Sequence, residues 1–106
     1  MKSRLRFSPA DDFAVPEELF PLLDAFVSRS EKEIEAVLKS LHGGNFAAIR
    51  ELAQALAEHG ELYGFPELSR QAHELDVAAA RGAEAQSAIN LLQMEILLQK
   101  IKQRLH

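Results

Sequence analysis

The 106-residue chain has no cysteine, no tryptophan and no threonine, one tyrosine, 5 glycines and 4 prolines. Without cysteine there is no disulfide, zinc–thiolate site, iron–sulfur cluster or thiol nucleophile. So few turn formers and aromatics speak against an all-β domain. No run approaches the ~18 consecutive apolar residues of a membrane-spanning helix. Positive charge is not in excess either: 12 Lys and Arg stand against 16 Asp and Glu, a formal net charge of -4. A general nucleic-acid binder has the opposite balance, so no nucleic-acid partner is expected. Ser8-Pro9-Ala10-Asp11-Asp12 follows the basic start where a signal peptide has its apolar stretch. The expected location is therefore the cytoplasm. Hydrophobic residues make up 47% and charged residues 26%, the balance of one ordinary globular domain.

Residues 1–14 show no helical period and read as an N-terminal arm, in which Lys2, Arg4 and Arg6 alternate with Leu5 and Phe7. Residues 15–106 read as one helical domain. Pro16, Glu17 and Glu18 suit a helix start, and Leu19, Phe20, Leu22, Leu23, Phe26 and Val27 supply an apolar face over residues 16–28. Ser30-Glu31-Lys32-Glu33 has the form of a capping box, which predicts a second helix carrying Ile34, Val37, Leu38 and Leu41 up to Gly43-Gly44. Asn45 is an N-cap for a third, with Phe46, Ile49, Ala53, Leu56, Gly60 and Tyr63 at buried spacing. Gly64 stops it. Pro66 opens a fourth with Leu68, Ala72, Leu75 and Ala79 on one face, closed by Gly82. The last runs over residues 84–105. The expectation is an all-α, antiparallel four-helix bundle with an additional short N-terminal helix.

The last helix carries two apolar stripes on nearly opposite sides. Leu91, Met94, Leu98, Ile101 and Leu105 form one; Ile89, Leu92 and Ile96 form the other. One side faces the core. The other either receives the first short helix or makes a partner surface, and the longer stripe, Leu91 to Leu105, is the candidate homodimer surface.

Enzyme chemistry finds little to work with. There is no nucleophile elbow and no phosphate-binding glycine loop. His42, His59, His73 and His106 include no pair at the spacing that puts two ligands on one helix face. Glu58, His59 and Glu61 read as a solvated helix face rather than a metal site. His42, before Gly43-Gly44, suits a helix C-terminal cation. No catalytic residue, cofactor or metal is expected.

One stretch is more specific. Leu52-Ala53-Gln54-Ala55-Leu56-Ala57-Glu58-His59-Gly60-Glu61-Leu62-Tyr63-Gly64-Phe65-Pro66-Glu67-Leu68, followed by Ala72 and Leu75-Asp76, resembles the histidine-containing phosphotransfer (HPt) domain. That family carries an Ala-His-x-Leu-Lys-Gly stretch, a later Gly and a following helix. The likeness covers about residues 15–105. It implies a four-helix bundle with an extra N-terminal helix, and a partner that is a response-regulator receiver or a histidine kinase in bacterial two-component signalling.

Ala53, Leu56 and Gly64 fit the family's pattern, but its chemistry is missing. Gln54 stands where the phosphoacceptor His belongs, Ala57 where the supporting Lys belongs, and Glu58 where the Gly belongs. A carboxamide nitrogen has a delocalised lone pair and is not nucleophilic, whereas neutral imidazole keeps an in-plane lone pair. Losing the cation removes charge neutralisation for a phosphoryl oxygen. The resemblance therefore implies a degenerate, non-transferring member whose partner face comprises Glu51, Gln54, Glu58 and Glu61. Those acids would meet a receiver's acidic Mg²⁺ pocket with like charge. Two alternatives stay open. One is phosphotransfer through a non-standard His, His59 or His73. The other is a dimerisation module unrelated to phosphorelay.

Overall fold

The computed structural model describes residues 5–7 and 14–105. Two three-residue strands, β1 (Leu5–Phe7) and β2 (Ala14–Pro16), pair antiparallel with Arg6 opposite Val15. A 3-10 turn at Glu17–Leu19 leads into α1 (Phe20–Lys39), and a second at Leu41–Gly43 leads into α2 (Phe46–Tyr63). Helices α3 (Pro66–Ala80) and α4 (Glu84–Leu105) complete the chain. Each helix packs on its neighbour in sequence and α4 closes back on α1, giving a four-helix bundle. Among the described residues no helix is long and apolar enough to cross a membrane.

The segment expected to be an arm, residues 1–14, thus holds β1, and its last residue, Ala14, begins β2, so the two make a minimal hairpin at residues 5–7 and 14–16. The alternation of Arg6 with Leu5 and Phe7 is the period-2 signal of a strand. Residues 1–4 and 8–13 of that arm lie outside the described residues, as do His106 and the side chain of His42.

The first two expected helices are one. Ser30 is not an N-cap; it lies in the middle of α1 and is 1% exposed. Leu23, Phe26, Val27, Ser30 and Ile34 form one buried line at three-four spacing. An uninterrupted helix keeps that line against the core. Ser in a helix interior costs only about 0.5 kcal/mol relative to Ala, which is small against burying Ile34 and Leu23 on the same face. Among the described residues, then, the expected short N-terminal helix is part of α1 and not a separate element. Pro21 sits in the first turn of α1, where it removes no helical hydrogen bond.

The other boundaries follow their local chemistry. Asn45 Oδ1 accepts from the Ala48 amide at 3.4 Å. Gly64 takes φ 80°, so the Phe65 amide reaches back to the Gly60 carbonyl at 2.7 Å, and Pro66 starts α3 at once. Gly82, at φ 66°, closes α3 in the same way, with the Ala83 amide on the Ala78 carbonyl at 3.0 Å.

Leu23, Val27 and Ile34 of α1 meet Ile49 and Leu56 of α2, Leu68 and Leu75 of α3, and Leu91, Met94, Leu98 and Ile101 of α4 in one core. This corrects the expected dimer surface. Leu91, Met94 and Leu98 are fully buried, Ile101 nearly so, and Leu105 is half-buried, so that stripe is the bundle's interior. The outward stripe is Ile89, Leu92 and Ile96.

Candidate interaction site on helices α2 and α3

The two-residue Gly64-Phe65 link, with Pro66 opening the next helix, joins α2 to α3 as a tight antiparallel hairpin. Small residues let the two helices approach closely. Ser69 Oγ donates to the Ala57 carbonyl at 2.8 Å, and Gly60 faces the Ser69 backbone. Ala53, Ala57 and Ala72 are all buried along this seam.

Above the seam runs an open groove of about 310 Å³, lined by Gln54, Glu58 and Glu61 of α2, by His73 and Asp76 of α3, and floored by the three alanines. Gln54, Glu58 and Glu61 are exposed and fall on one arc of α2, as their spacing requires. Glu51 is exposed on the same arc, one turn away, but does not line the groove. Ala57 differs from its neighbours: it is 6% exposed and belongs to the floor.

Charge in the groove is mainly acidic. Asp76 is engaged by Arg50 across the two helices at 2.9 Å, and that hydrogen bond raises the Arg50 pKa further above its ordinary value. His73 is the one lining residue that can become cationic. On the outer side of α3, Arg70 bonds Glu67 and Glu74, and Gln71 also donates to Glu67 at 3.1 Å. Hydrogen bonds from Arg70 first, and Gln71 second, hold the Glu67 carboxyl below its ordinary range.

The two alternative histidines are placed very differently. His73 is exposed and shares the groove with Gln54 and Glu58. His59 is half-buried on another side of α2. Its Nδ1 lies 2.7 Å from the Ala55 carbonyl, and its ring stacks on Phe26 of α1 with centroids 4.8 Å apart. Tyr63 packs beside both rings. Donation from Nδ1 to Ala55 leaves Nε2 as the unprotonated nitrogen of the neutral ring. His59 is thus turned away from Glu58 and Glu61. Among the described residues no group of three or more His, Asp or Glu is arranged to hold a metal ion.

Sequence spacing found Gln54, Glu58 and Glu61 but missed that His73 and Asp76 complete their groove. The signal was present in the two-residue helix link. Residues equidistant from a tight hairpin turn face one another, which places positions 54 and 58 opposite positions 76 and 72.

No protein-family model, no curated protein and no solved structure matches the chain.

Proposed function

We propose that the chain is an HPt-like interaction domain that binds a response-regulator receiver or a histidine kinase in the cytoplasm without passing phosphate, acting as an adaptor or inhibitor. The observation that carries this reading is Gln54. It stands exposed at the middle of an open face floored by Ala53, Ala57 and Ala72, where the resembled motif has its phosphoacceptor. A carboxamide there hydrogen-bonds a partner but forms no phosphoramidate. Glu58 and Glu61 beside it favour a partner face with a cation, including a receiver whose own acids are covered by Mg²⁺.

The test is a titration of the domain against a panel of receiver domains, with and without beryllofluoride as phosphate mimic. Saturable binding to one receiver, lost on Glu58→Arg, is the expected result. Absence of binding to every receiver and kinase tested overturns the reading.

A second reading has one specific observation in its favour. His73 shares the groove with Gln54, so a partner seated there would reach an exposed imidazole. Incubation with a phosphorylated receiver separates the two readings. Acid-labile phosphate that disappears in His73→Gln identifies a transferring protein; unlabelled protein that still binds identifies a non-transferring one.

A further inference from the structure

The side of α4 opposite the core carries an apolar line that stays exposed among the described residues. Ile89, Leu92 and Ile96 are 49%, 49% and 62% exposed. Ala85, Gln99 and Gln103 extend the line in both directions and are exposed as well. Successive members are separated by four, three, four, three and four residues. That is a heptad repeat, the pattern of a helix that pairs with another helix along its whole length.

The register is specific. Ile89, Ile96 and Gln103 occupy the a positions; Ala85, Leu92 and Gln99 occupy d. β-branched residues at a with Leu at d favour a parallel two-stranded pair. The flanks agree with that choice. Glu95 falls at g and Lys100 at e, five residues later. In a parallel pair, g of one helix lies beside e of the next heptad on the other. Glu95 of each copy therefore meets Lys100 of its twin, twice by symmetry. The other competing contacts are already made. Glu67, the acid of α3 that feels Lys100, is bonded by Arg70 and Gln71. Lys102, the next g residue, is held by Glu31 of its own chain at 3.3 Å.

We propose that α4 is a homodimerisation helix, pairing in parallel with α4 of a second copy through Ile89, Leu92 and Ile96 and a reciprocal Glu95–Lys100 contact. The line from Ala85 to Gln103 is about 27 Å long at ~1.5 Å per residue. With three large apolar residues per copy, the interface falls at the small end of specific protein–protein contacts, so association is reversible and concentration-dependent. The face is separate from the α2–α3 groove, and the dimer stands or falls independently of the proposed partner there.

Sedimentation equilibrium on the intact chain tests this. The mass should rise from 11.8 kDa towards twice that value as concentration increases through about 10⁻⁵ to 10⁻³ M. Ile96→Glu should weaken association about 100-fold with helix content unchanged, because residue 96 is 62% exposed in the bundle. Lys100→Glu should weaken it about fivefold, and adding Glu95→Lys to that variant should restore it. The cysteine-free background allows a direct check of orientation: Gln99→Cys, at a d position, should oxidise to a linked dimer. A monomer mass at about 1 mM overturns the proposal. So does a dimer that survives Ile96→Glu, or one that Gln99→Cys cannot link.

Discussion

Gly60 of α2 and Ser69 of α3 face each other without room for a methyl group. A Cβ at residue 60 would lie 2.9 Å from the Ser69 amide nitrogen and closer still to its hydroxyl. The α2–α3 seam, and the groove above it, depend on that approach.

Replacing Gly60 tests the seam directly. Helix propensity alone favours Gly60→Ala by about 1 kcal/mol. The contact with α3 backbone should reverse the sign, for a net loss of about 1–3 kcal/mol in urea denaturation. Ser69→Ala removes the buried bond to the Ala57 carbonyl and should cost about 1 kcal/mol. A stabilised Gly60→Ala would mean that the helices stand further apart.

Two residues on opposite faces of α4 should behave oppositely. Leu98 is fully buried and Ile96 largely exposed. Leu98→Ala should lose about 2–5 kcal/mol of folding stability. Ile96→Ala should stay within about 0.5 kcal/mol for the monomer. Equal effects in thermal melts would place α4 in a different rotation.

Restoring the resembled phosphoacceptor is limited by burial at one position. Gln54→His with Glu58→Gly alters two exposed groove residues and should leave the fold intact. Adding Ala57→Lys inserts a long side chain at a residue that is 6% exposed, and should cost a further 1–3 kcal/mol or so. If docking is retained, the double variant should take acid-labile phosphate at position 54 from a phosphorylated receiver. A folded double variant that never labels, with any receiver, counts against receiver docking on this groove.

The Glu67–Arg70 pair predicts a pH-dependent contribution. The carboxyl is held below its ordinary value in the folded state. Its stabilisation is present above the unfolded-state pKa, about 4.3, and is lost as pH falls through the lower folded value. Wild type and Arg70→Ala should therefore differ slightly in Tm at neutral pH and converge in acid. Because the pair is exposed, the difference should also shrink with salt. A gap that widens in acid would contradict this assignment.

Legibility in the sequence was governed by how local each determinant is. Asn45, Gly64-Phe65-Pro66 and Gly82 act through the turn in which they sit, and the ends of α2 and α3 fall where they indicate. Ser30-Glu31-Lys32-Glu33 is also a local signal, but it competes with the buried line from Leu23 to Ile34, and the longer-range burial prevailed. The two stripes of α4 have the same period, so periodicity cannot choose between them; the packing of α1 and α3 against Leu91 and Leu98 does. For the groove, spacing along α2 alone identified Gln54, Glu58 and Glu61. The contributions of His73 and Asp76 needed the hairpin register.

The short link after Gly64 also sets an order of assembly. Closing α2 onto α3 brings together residues near in sequence, such as Ala57 and Ser69, at little loop entropy. Docking α1 on α4 must close far longer loops, as the 71-residue separation of Glu31 and Lys102 shows. The α2–α3 hairpin is therefore expected to form early and α1 to join late. Native-state amide exchange should see the reverse as opening: α1 released at lower free energy than α2 and α3, so that the groove outlasts the bundle that completes it.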